Sequence, residues 1–377
     1  MIGIVLGALA LASWVYLLAF NGGFWLARET DFAALPPPTR WPSVVAVVPA
    51  RDETEVIGRA IGSLVAQDYP GAFRIVLVDD GSSDGTAAIA CAAAAGSDRL
   101  TVLTGKPLPR GWTGKLWAMN QGVEAAGTPD LLWFTDADIA HAPDTLRSLA
   151  ARSEADGLAL NSLMAELACE TPAERAFVPA FVLFFQMLYP FARLNDARRK
   201  AAGAAGGCML VRRVALERAG GVSAIASSLI DDCALGAALK RQGPIRLSLT
   251  HRSVSIRSYG GWRDIGAMIA RSAYAQLRYN PLILAGTLLG LALIFLVGPL
   301  LAVFGHGVAR IEGMAVWATM AVAYQPMLRF YRRSPLWGIA LPAIGGFYGA
   351  ATFASALQHA RGRGGMWKGR AQAELSR

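Results

Sequence analysis

Three pairs of acids carry whatever chemistry this chain performs, and two of them follow short apolar runs. Ile75-Val-Leu-Val78 leads into Asp79-Asp80-Gly81-Ser-Ser-Asp84-Gly-Thr86, and Leu131-Leu-Trp-Phe134 leads into Thr135-Asp136-Ala137-Asp138. A carboxylate at a strand end can accept hydrogen bonds from a base N–H or a ribose hydroxyl. It holds phosphate badly by itself, but a divalent cation, Mg²⁺ or Mn²⁺, can join carboxylates to a diphosphate. Residues two apart in an extended chain face one side, roughly 6–7 Å apart, so Asp136 and Asp138 are expected to serve one cation. The competing reading is a polar strand end or a turn. Asp-Gly-Ser-Ser-Asp-Gly is good loop chemistry, and Asp84 can cap the next helix.

The third pair, Asp231-Asp232, opens Cys233-Ala-Leu-Gly-Ala-Ala-Leu-Lys240. Acids suit a helix start because of the dipole. A carboxylate there can also act as a general base for an attacking hydroxyl, and the two roles are compatible. Gly206-Gly207-Cys208 marks a close approach to the backbone or a β-bulge. Lys115 follows Gly111-Trp-Thr-Gly114 without full Walker spacing, yet at a helix start it can meet a phosphate.

These side chains need a scaffold. Strand patterns at 43–48, 73–78, 100–103 and 131–134 alternate with helix patterns at 55–67, 84–95, 115–125 and 143–154, the last with Pro143 in its first turn. That alternation predicts an α/β fold with a mainly parallel, Rossmann-like sheet and right-handed crossovers. Ligands then bind outside the carboxyl ends of the strands. The uncharged stretch 177–192, with Pro179 and Pro190 near its ends, reads as a helix in a membrane interface or in a core.

The chain is 54% hydrophobic and only 17% charged, against about 25% charged in soluble domains. Residues 1–27, 279–309, 313–328 and 334–360 contain no Asp, Glu, Lys or Arg, and about 20 apolar residues span a bilayer. The expected organisation is a transmembrane anchor (1–27), a linker (28–40) stiffened by Pro36-Pro-Pro38, a cytoplasmic α/β domain (41–278), membrane segments (279–360) and a basic cytoplasmic tail (361–377). No basic residue precedes the first apolar run and Arg28 follows it, as in a signal anchor with its amino end outside. The basic tail also belongs inside, so one rear segment should fail to cross. Two candidates are the last, interrupted by Pro342, Gly345, Gly346 and Gly349, or a re-entrant 282–304 containing Pro299.

The net charge of +9 fits cytoplasmic loops near anionic lipid and nucleotide phosphates. No aromatic–basic interleaving points to nucleic acid. Cys91, Cys169, Cys208 and Cys233 are widely separated, as free thiols in a reducing compartment are. The histidines lack metal-site spacing.

Taken in order, Pro49-Ala50-Arg51-Asp52-Glu53, Asp79-Asp80-Gly-Ser-Ser-Asp-Gly-Thr86, Lys115 with Asn120, Asp136-Ala-Asp138, Gly206-Gly207-Cys208 and Asp231-Asp232 resemble the motifs of family 2 glycosyltransferases. The resemblance covers about 40–280. Within that family the chain looks most like the membrane-bound hopanoid-biosynthesis-associated enzymes, relatives of ceramide glucosyltransferase. It implies a GT-A fold in the inner (plasma) membrane and inverting transfer of one sugar from a nucleotide-diphosphate sugar, UDP-linked first, to a lipid hydroxyl. By the resemblance Pro49, Ala50, Arg51, Glu53, Asp80, Lys115 and Asp136 would bind the donor. Asp136 and Asp138 would hold the metal, with Asp138 the more direct ligand, and Asp232 would be the base. Gly207, Cys208 and Asp231 would border the acceptor. The family often has Glu-Asp at 231–232. Its Gln-x-x-Arg-Trp motif is not intact here, where Arg271, Gln276 and Arg278 stand in the region. That loss argues against the alternative of a processive polysaccharide synthase. A second alternative, an inactive membrane scaffold of the same fold, sits poorly with three retained acid pairs.

Overall fold

The first sheet strand shows why the chain folds as it does. Val44–Ala50 (β1) is buried at every position, and its side chains alternate between two cores. Val44, Ala46 and Val48 pack with Ile57, Ile61 and Leu64 on one face. Val45 and Val47 pack with Leu116 and Met119 on the other. A strand covered on both faces reads as a continuous apolar run, not as an alternating one. Phe73–Asp79 (β2), Leu100–Thr104 (β3) and Leu131–Thr135 (β4) join it in parallel, in the order β3-β2-β1-β4. Helices Ile57–Val65, Thr86–Ala93, Gly114–Ala125 and Thr145–Ala155 lie within a few residues of the expected spans.

Beyond β4 the pairing changes. Ile139–His141 (β5), Leu160–Glu166 (β6), Cys208–Arg212 (β7) and Ile245–Ser255 (β8) complete an eight-stranded sheet in the order β3-β2-β1-β4-β7-β6-β8-β5. β7 is antiparallel to β4 and to β6, β8 is parallel to β6, and β5 is antiparallel to β8. The sheet is therefore mixed, parallel through its first four strands.

This computed structural model describes residues 1–362, 366–367 and 370–371. Most of the expected basic tail, including Lys368 and Gly369, lies outside the described residues. The chain forms two units. The α/β unit contains 29–168 and 193–257; the helical unit contains 1–28, 169–192 and the described residues from 258 to 362. Residues 169–192 and 258–278, expected in the α/β domain, thus pack with the helical unit instead.

In the helical unit, Ile2–Phe20, Pro281–Phe304 and Trp337–Ala360 are long and apolar enough to cross a membrane. The helix Gly307–Phe330, which carries Arg310, Glu312 and Arg329, is not among these three. Neither expected interruption breaks its helix. Pro342 sits inside Trp337–Ala360, and Pro281–Phe304 runs through a π-helical turn at Ala292–Val297. A π turn shifts the backbone pairing and frees carbonyls. The Trp14 indole donates to the Ile294 carbonyl at 2.7 Å. The stretch around 177–192 becomes the helix Pro172–Leu188, opened by a capping box between Thr171 and Glu174. Phe184 packs edge-on to Tyr348, with ring centroids 4.8 Å apart, and the Tyr348 hydroxyl donates to the Phe177 carbonyl at 3.0 Å.

Candidate active site

The sheet order brings the second and third acid pairs together around one lysine. β4 ends at Thr135, and the chain turns so that β5 can run back against β8. The Ile139 amide closes this turn on the Asp136 carbonyl at 3.2 Å. Asp136 and Asp138 therefore sit on a turn, not on the extended strand that their spacing suggested. They remain close enough for the Asp138 charge to act on Asp136.

Lys115 stands in the first turn of Gly114–Ala125, whose start is fixed by the Leu116 amide donating to Thr113 Oγ1 at 3.3 Å. Its Nζ lies 2.8 Å from Asp136 Oδ1 and 3.0 Å from Asp231 Oδ2. Burial works against its charge, but the two carboxylates win and hold it protonated. Burial pushes the Asp136 carboxyl up, with Lys115 opposing and Asp138 and Asp231 adding to the rise.

Asp231 and Asp232 form the first turn of Asp231–Lys240, where the dipole favours acids. Asp232 accepts from the Cys233 amide at 2.7 Å and from the Gly206 amide at 3.1 Å. Its pKa is pushed up to about 6, first by burial and then by the neighbouring Asp231 charge, against the pull of Lys115. A carboxyl with that pKa is matched to proton abstraction near neutrality. The glycines beside it leave little room. A Cβ at Gly206 would stand 3.4 Å from Lys115 Nζ, and one at Gly207 would stand 3.2 Å from Ile139 Cδ1.

The first acid pair divides between turn chemistry and the site. Asp79 Oδ1 accepts from the Ser82 amide at 3.0 Å, and Asp84 Oδ1 accepts from the Thr86 amide at 3.0 Å. The loop 80–84 is tied to the end of β1, where Asp52 adopts a left-handed φ of 49°. Asp52 Oδ1 accepts from the Ser83 amide at 2.9 Å. Asp80 is buried, with Arg51 Nη1 at 3.7 Å from its Oδ2 and also bonded to its carbonyl. Arg51 thus braces this loop from the end of β1. Pro49 and Ala50 complete β1.

Several contributors have only a weak signal in the sequence. Arg257, just past β8, donates from Nε to Asp138 Oδ2 at 2.8 Å and from Nη2 to Glu53 Oε2. Behind the turn, His141 lies between Thr135 Oγ1 at 2.8 Å and Ser253 Oγ at 2.9 Å. Thr135 Oγ1 in turn donates to the Gly207 carbonyl at 3.0 Å. Burial pushes the His141 pKa down to about 3, so the ring is neutral. Cys208 is also buried: its Sγ accepts from the Trp133 indole at 3.3 Å, and burial pushes the thiol up to about 12. That thiol is no nucleophile at neutral pH. Arg271, Gln276 and Arg278 belong to the helical unit, and Gln276 Nε2 donates there to the Tyr189 hydroxyl at 2.5 Å.

The donor set tests whether a metal fits. Among the described residues no group of three or more His, Cys, Asp or Glu can hold one. Asp136 and Asp138 alone make an incomplete shell. Mg²⁺ and similar ions are, however, commonly held by one or two carboxylates plus substrate phosphates. Asp136 and Asp138 each already face a protein cation, Lys115 and Arg257, so an ion held here would compete with those pairs and would need a diphosphate to complete its shell.

The mixed, mainly parallel sheet has the GT-A arrangement. The model of glycosyl transferase family 2 matches residues 45–220. An N-acetylglucosaminyltransferase of Rhizobium leguminosarum bv. viciae is 35% identical over 133 residues, 34% of this chain and 30% of that protein. One from Mesorhizobium japonicum is 27% identical over 179 residues, 47% of this chain and 41% of that protein. The chain spans less than half the length of these curated relatives. Among solved structures, mannosyltransferase PcManGT from Pyrobaculum calidifontis, in complex with GDP-Man and Mn²⁺, shares the fold. It has a TM-score of 0.56 at 20% identity, covering 95% of this chain and 99% of that one.

Proposed function

We propose that this chain transfers one sugar from a nucleotide-diphosphate sugar to the hydroxyl of a membrane lipid, inverting the anomeric centre. The observation that carries the reading is the junction at Lys115, which joins an acid of the β4 turn to the acid pair of Asp231–Lys240. Donor-side and acceptor-side chemistry meet there. Asp232 takes the proton of the acceptor hydroxyl as its oxygen bonds to the anomeric carbon. The bond from that carbon to the diphosphate oxygen breaks, and the nucleoside diphosphate leaves. Asp136 and Asp138 would hold Mg²⁺ or Mn²⁺, which neutralises charge growing on that leaving group. Lys115 is a fixed cation beside the same charge. Glu53, Asp80 and Ala50 line the nucleotide end, with Arg51 bracing the loop that carries Asp80. Gly207, buried Cys208 and Asp231 border the acceptor. No second catalytic carboxylate is needed for a single displacement.

The lipid acceptor is supported by the three helices able to cross a membrane in the same chain. A lipid leaves the bilayer only at high cost, so its enzyme must meet it at the surface. The catalytic unit is assigned to the cytoplasmic side of the inner membrane, with hopanoid or other glycolipid synthesis as the setting. The decayed motif at Arg271, Gln276 and Arg278 supports transfer of a single sugar. The test is incubation of the full-length protein in membranes with UDP-GlcNAc, UDP-glucose and GDP-Man together with native lipid extract, followed by mass spectrometry. A lipid one sugar heavier is expected. Long polysaccharide, or no transfer from any donor, overturns the reading.

A further inference from the structure

We propose that Arg257 is a resident counter-ion for the metal-binding carboxylate Asp138, yielding that carboxylate when the divalent cation arrives with the donor and turning to the diphosphate. The inference rests on Asp136 and Asp138 being the metal ligands. Its basis is charge accounting at the turn. Asp136 is neutralised by Lys115 at 2.8 Å, and Asp138 by Arg257 at 2.8 Å. Each acid already holds a protein cation with which an arriving metal ion competes. The two cations differ in how easily they give way. Lys115 is 16% exposed and is also held by Asp231. Arg257 is 35% exposed and stands on irregular backbone past the end of β8. The root of that arm is fixed, because the Ile256 amide donates to the Asp138 carbonyl at 2.9 Å. Its guanidinium can therefore swing while the backbone stays in place.

The exchange conserves favourable pairings. A divalent ion replaces the guanidinium on Asp138, and the freed fork can bond two phosphate oxygens at once. Glu53, the other partner of Arg257, keeps the arm near the nucleotide end. A metal without diphosphate competes with the arginine for Asp138 and gains only an incomplete shell in return. The free protein should hold a divalent ion weakly, and a nucleoside diphosphate should tighten it.

Full-length protein in detergent is titrated with Mn²⁺, read by electron paramagnetic resonance, without nucleotide and with UDP or GDP. In Arg257→Gln, Mn²⁺ alone should bind about tenfold tighter than in the wild type, while the nucleotide binds about tenfold weaker. Arg257→Lys, which keeps the charge, should retain weak Mn²⁺ binding; a purely structural role would not separate the two variants. Adding Asp138→Asn to Arg257→Gln should abolish the gain. Unchanged or weaker Mn²⁺ binding in Arg257→Gln overturns the inference while leaving the metal site standing. Failure of the wild type to bind Mn²⁺ even with UDP or GDP overturns the metal site itself, and the inference with it.

Discussion

Replacing Lys115 with methionine keeps the length of the side chain and removes its charge, so it isolates what the ammonium does. Asp232 titrates at about 6 with Lys115 pulling that value down. At pH 7 about 90% of the base is then ionised. A nearby opposite charge is worth roughly one to three pKa units; this cluster is partly hydrated, so about one unit is expected. The midpoint moves to about 7, and half of the base is protonated at neutral pH. That change alone lowers turnover only about twofold. On the proposed mechanism, losing the Lys115 cation beside the leaving group costs about 100-fold to 1,000-fold more. The informative readout is the acid limb of kcat measured from about pH 5 to about pH 9. It should shift upward by about one unit in Lys115→Met and stay in place in Lys115→Arg. A limb that remains near 6 in Lys115→Met refutes the coupling between Lys115 and Asp232, whatever the fall in rate.

Other substitutions separate donor binding from chemistry. Asp232→Asn should abolish transfer with nucleotide binding nearly intact, and normal turnover would remove Asp232 from the mechanism. Asp138→Ala should weaken Mn²⁺-dependent nucleotide binding about tenfold or more; superimposable titration curves would argue against its role. His141 predicts an acid sensitivity of the fold. Its pKa is depressed from 6.5 to about 3, so its contribution is complete above 6.5 and is lost as pH falls towards 3, where the unfolded chain takes the proton that the folded ring refuses. His141→Gln should flatten that part of a stability profile measured by denaturant titration, and an unchanged slope would exclude the histidine as its source.

Much of the first half of the sheet was legible because β1, β2 and β4 are nearly continuous apolar runs, the last two leading into acids. The turn at Asp136–Asp138 was not, since its shape comes from the pairing of Ile139 with Ser255, far away in the chain. Arg257 was missed for the same reason: it reaches Asp138 across 119 residues. His141 gave no signal alone, because its meaning lies in Thr135 and Ser253 on either side of the ring. The turn reading of Asp84 fits its bonds to Thr86, whereas Asp80 in the same loop is buried beside Arg51. The inserted helix Pro172–Leu188 was legible only as the uncharged stretch 177–192; the capping box of Thr171 and Glu174 that opens it lies before that stretch. Its apolar face left open where it would pack.

That inserted helix governs how the protein can be handled. Because 169–192 interrupts the α/β unit in sequence, cutting away both ends of the chain does not yield a clean water-soluble catalyst. A fragment from 29 to 257 still contains Phe177 and Phe184 but lacks Tyr348, their neighbour on Trp337–Ala360. Such a fragment carries an orphaned greasy helix into buffer and invites clumping. Detergent or nanodisc preparations of the whole chain, or a graft that closes the gap between 168 and 193, are the routes that respect how the polypeptide is threaded.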